Sequence, residues 1–288
     1  MLRSRVMLAA PITPVAYSLA AVLAWGTSDF LGGFGTKRAN AFVFTSIVNG
    51  GGMLLMAVLA AMSHSAFPST RSTIWVLIGG ASGGACLALF YQALSSGSMG
   101  LAAPVAAVIA AGIPALFGMI TQGLPGKIAI AGFVLAVAGL WLVASSAGSS
   151  KSDSSSLALA AIAGVGFAGF YLCIHQAGSG SPIWFASLTR LGGLVSAGLV
   201  VLAQGRIREL LHARLSWGML VGCLDSSGTM LFVLACQTGR LDQAVVLSSM
   251  YPAVTVILAR IVLREHFSAW KLVGLLAILA AVPMIATG

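Results

Sequence analysis

Charged residues are scarce in this chain. They make up 7% of its 288 residues, where a soluble domain carries about 25%. A surface so short of charge cannot be kept in water, which excludes a cytosolic enzyme, a secreted disulfide scaffold and a disordered chain. Acids are rarer still. Asp29, Asp153, Glu209, Asp225, Asp242 and Glu265 are the full set. They are spread over six regions and form no paired-carboxylate or His–Asp cluster of the kind an enzyme needs, so no catalytic residue is expected. The four cysteines, Cys86, Cys173, Cys223 and Cys236, all fall inside apolar runs. A free thiol there packs as a small hydrophobe, so neither a disulfide nor a metal site is expected. No P-loop pattern is present, which excludes an ATP-driven pump, and no filter-like sequence suggests a channel. No cofactor is expected.

Apolar sequence is what the chain has in abundance: 59% of it is hydrophobic. The apolar residues gather into ten runs, at 12–34, 41–62, 73–95, 99–121, 127–144, 157–177, 182–204, 215–238, 241–263 and 269–287. Each approaches the roughly 20 residues that span a bilayer as a helix. Helix is the only assignment that satisfies the backbone of such a run in lipid. The expected fold class is therefore an all-α polytopic membrane protein with ten transmembrane helices. Arg3 and Arg5 ahead of the first run look like a signal peptide, but nine more runs follow, and an uncleaved first helix is expected. The excess of 15 Lys and Arg over 6 acids is scattered over short connections. It reads as loop cations facing lipid phosphates, with no nucleic acid partner. The working partners are the lipid bilayer and a small-molecule substrate.

The midpoint of the chain is a polar stretch, 145–156 (SSAGSSKSDSSS), which invites a search for repeats. At an offset of 142 residues Gly51 meets Gly193, Gly80 meets Gly222, Leu89-Phe90 meets Leu231-Phe232, Ala93 meets Ala235, Ala102 meets Ala244, and Gly132 meets Gly274. The expected domains are a five-helix repeat at 1–146, a Ser-rich linker at 147–156 and a second five-helix repeat at 157–288. An odd number of spans per half makes the second half enter the bilayer from the opposite side. The two halves are then inverted repeats, an arrangement suited to alternating access. Orientation stays open, because the basic residues near span ends, five on one side against eight on the other, favour an outside amino terminus, and the family resemblance set out below implies an inside one.

Interrupted helices at matching places in the two halves point to a binding site. The fourth run carries Pro104 and Pro114 and the ninth carries Pro252, so a break or bend is expected in each. Ionisable groups within spans also need a reason, because each costs about 2.5–3.5 kcal/mol at a helix centre. Arg190 and Asp225 are read either as a buried ion pair between neighbouring helices or as polar contacts for substrate. Asp29, His175 and Asp225 are candidate proton carriers. Asp29 and His175 lie near helix ends, where interfacial water offers a simpler explanation. Asn49, Gln92 and Gln122 are expected to be interhelical hydrogen-bond partners. The aromatic residues Trp25, Phe90, Tyr91, Phe170, Tyr171, Phe232 and Tyr251 lie deep in their runs and could line a pocket; all but Phe170 are taken as candidate substrate contacts. At the offset of 142, Asp225 falls opposite Gly83, Arg190 opposite Val48 and Asp29 opposite Tyr171. A duplicated scaffold with unduplicated chemistry implies one asymmetric cavity.

These residues carry a family resemblance over essentially the whole sequence. Trp25-Gly26-Thr27-Ser28, Arg190 with Gly193, and Tyr251-Pro252 followed by Glu265-His266-Phe267-Ser268 and Gly274 resemble the EamA-type members of the drug/metabolite transporter superfamily. Gly123-Leu124-Pro125 departs from the family pattern, which often repeats the Glu there. Within the family the chain most resembles bacterial exporters of aromatic and other neutral amino acids. The resemblance implies a plasma (inner) membrane exporter of small amphipathic metabolites, functional as a monomer and not an enzyme. It also implies a cavity lined by the first four helices of each half, with the fifth and tenth peripheral. Exporters of other metabolites or drugs, and a passive channel or scramblase, are the alternatives.

Overall fold

The computed structural model describes residues 12–96, 99–145, 153–212, 215–263 and 269–286. Among these every regular element is helical. In chain order they are α1 (Ile12–Gly35), α2 (Ala41–Met62), α3 (Thr70–Ser96), α4 (Met99–Gln122), α5 (Lys127–Ser145), α6 (Asp153–Ala177), α7 (Pro182–Ala203), α8 (Ile207–His212), α9 (Leu215–Thr238), α10 (Leu241–Ser248), α11 (Tyr251–Leu263) and α12 (Ala269–Ala286). Seven of the helical stretches among the described residues are long and apolar enough to cross a membrane, with Leu241–Val262 counting as one. Large apolar side chains face outward along them, such as Leu23, Leu54, Ile120, Val165, Leu199 and Ile261. Water would not tolerate that surface; lipid does. The protein is an integral membrane protein.

Local chemistry fixes several helix ends. Asn40 caps α2, its side chain accepting from the amides of Phe42 and Val43. Ser181 caps α7 ahead of Pro182, whose missing N–H costs nothing in a first turn. The element boundaries differ from the sequence expectation in three places. The helix α6 starts at Asp153, inside the Ser-rich stretch, and Ser156 is buried with its hydroxyl donating to the Ala93 carbonyl at 2.9 Å. The remainder of that linker, and Glu265 to Ser268, lie outside the described residues. The polar loop after α7 holds the short helix α8, which has no apolar run to announce it.

The third difference concerns the interruptions expected in both halves. Only the ninth run is split, into α10 and α11; the fourth remains a single helix through Pro104 and Pro114. The break falls at Ser249 and Met250, so Pro252 is the second residue of α11. Proline at that place has no helical acceptor to disappoint. In α4 the packing face is made of small residues. That helix buries Ala102, Ala103, Ala106, Ala107, Ala110 and Ala111, and a Cβ on Gly164 of α6 would lie 2.7 Å from the Ala106 carbonyl oxygen. Close packing of small residues holds α4 in place.

Helices pack in a recurring scheme. The helix α3 lies against α6 and α7, as α9 lies against α1 and α2; α4 packs on α6, as α10 and α11 pack on α1. The pairs α2 with α7, α5 with α12, and α4 with α10 and α11 complete the scheme. Glycines allow the closest crossings. Gly80 and Gly84 of α3 abut the backbone at Thr189 and Gly193 of α7, and Gly222 of α9 abuts the Val48 carbonyl of α2.

Candidate functional site

At mid-depth the helices enclose a cavity lined by Trp25, Asp29, Asn49, Gly80, Gly83, Gly84, Leu87, Phe167, Phe170, Tyr171, Thr189, Arg190, Asp225 and Tyr251. The polar centre is an ion pair between Arg190 of α7 and Asp225 of α9. Both side chains are buried. The Arg190 guanidinium also donates to Thr229 Oγ1 at 2.5 Å and to Asn49 Oδ1 at 3.4 Å. Asn49 is itself anchored by donating to the Thr45 carbonyl at 3.0 Å. The Asp225 backbone carbonyl accepts from the Thr229 hydroxyl and from the Trp25 indole N–H, each at 3.1 Å. A pair this thoroughly hydrogen-bonded can stand in a low-dielectric interior, where an unpaired charge could not. The two readings of Arg190 and Asp225 are therefore not alternatives: the residues are paired, and their pair faces the cavity.

Aromatic rings form one wall. Trp25 has Phe232 at 5.5 Å, Tyr171 at 6.1 Å, and Phe170 and Tyr251 both at 6.4 Å between ring centroids. Phe232 stacks behind Tyr171 at 4.8 Å and is fully buried. Of the eight expected substrate-binding residues, Trp25, Tyr171, Arg190, Asp225 and Tyr251 reach the cavity. Phe232 supports that wall from behind. Phe90 and Tyr91 do not line the cavity; both are fully buried, Phe90 behind the lining rings of Phe167 at 5.5 Å and Tyr251 at 6.4 Å, and Tyr91 against Phe44 at 6.0 Å and Gly32.

Of the three candidate proton carriers, Asp225 and Asp29 line the cavity. His175 does not; it is half-buried near the end of α6, edge-on to Phe117 of α4 at 6.0 Å. Asp29 is buried, 5% exposed, so its nearness to a helix end does not bring it to interfacial water.

Asn49, Thr189, Thr229, Phe167 and the glycines of α3 complete the site without having been singled out for it. For Thr229 a signal existed, since its spacing of four from Asp225 puts both on one helix face. Asn49 was read as an interhelical partner, which it is through Arg190. Gln122 also bridges elements, its side-chain oxygen accepting from the Leu241 amide at 3.2 Å. Gln92 lies apart from the cavity, in a polar recess at one end of the molecule.

Free space within the cavity is about 60 Å³, room for about four waters. A whole amino acid would need more room than that.

A solved crystal structure shares this architecture, with a TM-score of 0.68 at 16% identity, covering 95% of this chain and 98% of that one. Identity that low speaks for the fold alone. No curated protein matches the chain. The EamA-like transporter family matches residues 154–287, a span that contains Tyr171, Arg190, Asp225 and Tyr251. The matched stretch is similar to that family, and the match is consistent with an EamA-type member of the drug/metabolite transporter superfamily.

Proposed function

We propose that this protein exports small amphipathic metabolites, amino acids with aromatic or other neutral side chains foremost, by alternating access through one central cavity. Its scaffold is ten spans in two inverted five-helix repeats in the plasma (inner) membrane. The observation that carries this reading is the mid-depth cavity itself, which sets a buried, paired Arg190 and Asp225 against a wall of aromatic rings. Such a lining suits a solute with charged groups at one end and an apolar side chain at the other.

Two further observations support the duplicated scaffold. The packing scheme is unchanged when each helix of one half is exchanged for its counterpart in the other. Positions separated by the repeat offset, 25 and 167, 29 and 171, 83 and 225, also meet in the same cavity. The chemistry at each of those pairs differs, which gives one asymmetric site in place of two equal ones. The working unit in this reading is a monomer. The small volume favours a carrier over a standing pore.

The test is uptake into liposomes holding the purified protein, with labelled amino acids and counter-flow. Saturable uptake stimulated by unlabelled solute on the far side is expected, and Asp225→Asn and Tyr251→Ala should change its rate or specificity. Flux that neither saturates nor responds to counter-flow would make the protein a channel or scramblase.

A further inference from the structure

The charges lining the cavity do not balance. Arg190 supplies one positive charge, and Asp225 is already paired with it. Asp29 adds a second carboxylate. Among the described residues it makes no ion pair and its side chain makes no hydrogen bond, although it is 95% shielded from solvent. The remaining lining residues are uncharged. With all three groups ionised the cavity holds one net negative charge in the middle of an apolar protein, a costly state unless a positive charge joins it.

The surroundings suit such a charge. The faces of Trp25, Tyr171 and Tyr251 belong to the same cavity, and aromatic faces attract cations. Tyr251 Oη is buried without a hydrogen-bond partner. So is Arg190 Nε, a donor left over for an anionic group. The cavity lining thus includes one unpartnered carboxylate and an arginine with one unpartnered, buried guanidinium N–H, a pairing that fits the ammonium and carboxylate of a zwitterion.

The geometry points to Asp29 as a site where a proton and the ammonium group of the transported solute displace one another. This rests on the transport reading above and narrows it to amine-bearing solutes. Asp225 is held by Arg190, and His175 faces Phe117 away from the cavity, so neither competes for the role. The groups facing Asp29 from neighbouring elements are Asp225 of α9, Arg190 of α7, Tyr91 of α3, Tyr171 of α6 and Tyr251 of α11. Of these only Arg190 is cationic, and its charge is matched by Asp225. In an export cycle the ammonium leaves Asp29 on the releasing side, and a proton takes its place for the return. A carboxylate-free amine carries one positive charge out against the one proton in, a zwitterion carries no net charge out, and in either case no covalent bond other than the O–H forms or breaks.

The experiment uses the full chain in liposomes with three solutes: phenylalanine, phenethylamine, which lacks the carboxylate, and N-acetylphenylalanine, which lacks the ammonium. The first two should be carried, and the third should not compete with them. Competition by a single proton raises the half-saturation concentration of phenethylamine about tenfold for each unit of falling pH once Asp29 is protonated, at constant maximal rate. Asp29→Asn should flatten that dependence and reduce the preference for phenethylamine over N-acetylphenylalanine. A wild-type measurement guards against a variant that fails to fold: adding phenethylamine to the purified protein in weakly buffered detergent should release protons, up to one per chain. Carriage of the acetylated solute equal to that of the amines, or a half-saturation concentration indifferent to pH, overturns the inference while leaving a transporter. Absence of saturable flux for all three, with no proton release, overturns the transport reading as well.

Discussion

Arg190 and Asp225 illustrate how a residue's worth depends on its partner. Each is buried, and each would lose its hydrogen-bonded ion-pair partner if the other were removed. Asp225→Asn leaves Arg190 with only Thr229 and Asn49, so a loss of about 3–5 kcal/mol is expected. Replacing both, as Arg190→Met with Asp225→Leu, removes the charge problem along with the pair. Thermal unfolding in detergent should place that double variant above Asp225→Asn and within about 1 kcal/mol of the parent, with flux lost in both. A double variant less stable than the single would mean that the network of Asn49, Thr229 and Trp25, rather than the charge balance, holds these helices together. The indole N–H of Trp25 is a smaller matter. Trp25→Phe forfeits one bond to the Asp225 carbonyl, worth about 0.6 kcal/mol in a membrane interior.

Helices set each other's distance here through glycine. A methyl group on Gly80 or Gly84 would run into the α7 backbone, whereas a methyl on Gly112 or Gly198 meets nothing within 4 Å. Gly84→Ala is therefore expected to destabilise by about 1–3 kcal/mol through overpacking. Gly198→Ala should stabilise by about 0.5–1 kcal/mol through helix propensity. Unfolding midpoints of the two variants, measured side by side, should move in opposite directions. The positions of nearly all the helices were legible in the sequence, because a run of twenty apolar residues admits one solution in lipid. The break in the ninth run was not. Both the fourth and the ninth runs carry proline, and a proline in a first turn reads the same as one in mid-helix until the neighbouring hydrogen bonds are known. The site was half legible for a similar reason. Charge inside a span is conspicuous, so Arg190, Asp225 and Asp29 stood out. Depth alone could not separate Tyr171, which lines the cavity, from Phe90, which packs behind that lining, and Tyr91, which is buried beside Gly32.

At the scale of the molecule, the two ends of the helix bundle are closed by different means. At one end polar bonds join the loops. Arg240 donates to the carbonyls of Gly123 at 2.6 Å and Gln122 at 3.4 Å, and pairs with Asp242 at 2.9 Å. Gln237 donates to the carbonyls of Gly178 and Gly180, and Trp184 to that of Ser65 at 2.9 Å. The bond to Asp242 pushes the Arg240 pKa further up, so this latch keeps its charge across any working pH. Gly123-Leu124-Pro125, the stretch that departs from the family pattern, turns through a positive φ of 83° at Gly123 and offers the carbonyl that Arg240 grips.

The other end holds a polar recess of about 510 Å³, lined by Thr36, Asn40, Gln92, Ser95, Gln204 and Arg206 among others. Along α3, Leu87 lines the cavity and Gln92 lines the recess, and the fully buried Tyr91 lies between them. Its ring fills the space beside Gly32, and its backbone carbonyl accepts from the Thr36 hydroxyl at 3.3 Å. Tyr91 is then a plug between recess and cavity, which accounts for an aromatic residue that the sequence placed in the cavity wall. A carrier needs both closures, each opening while the other holds. In a chain whose native cysteines are replaced, Gly83→Cys sets a reporter in the cavity wall, and its labelling in liposomes by a membrane-impermeant thiol reagent can be followed from either side. Tyr91→Ala should speed labelling from the recess side several-fold, and Arg240→Gln should speed it from the opposite side. The opposed sidedness is the decisive readout, because general loosening of the fold would raise both rates in both variants. Faster labelling from one and the same side in the two variants would mean that the latch and the plug do not guard opposite doors of one passage.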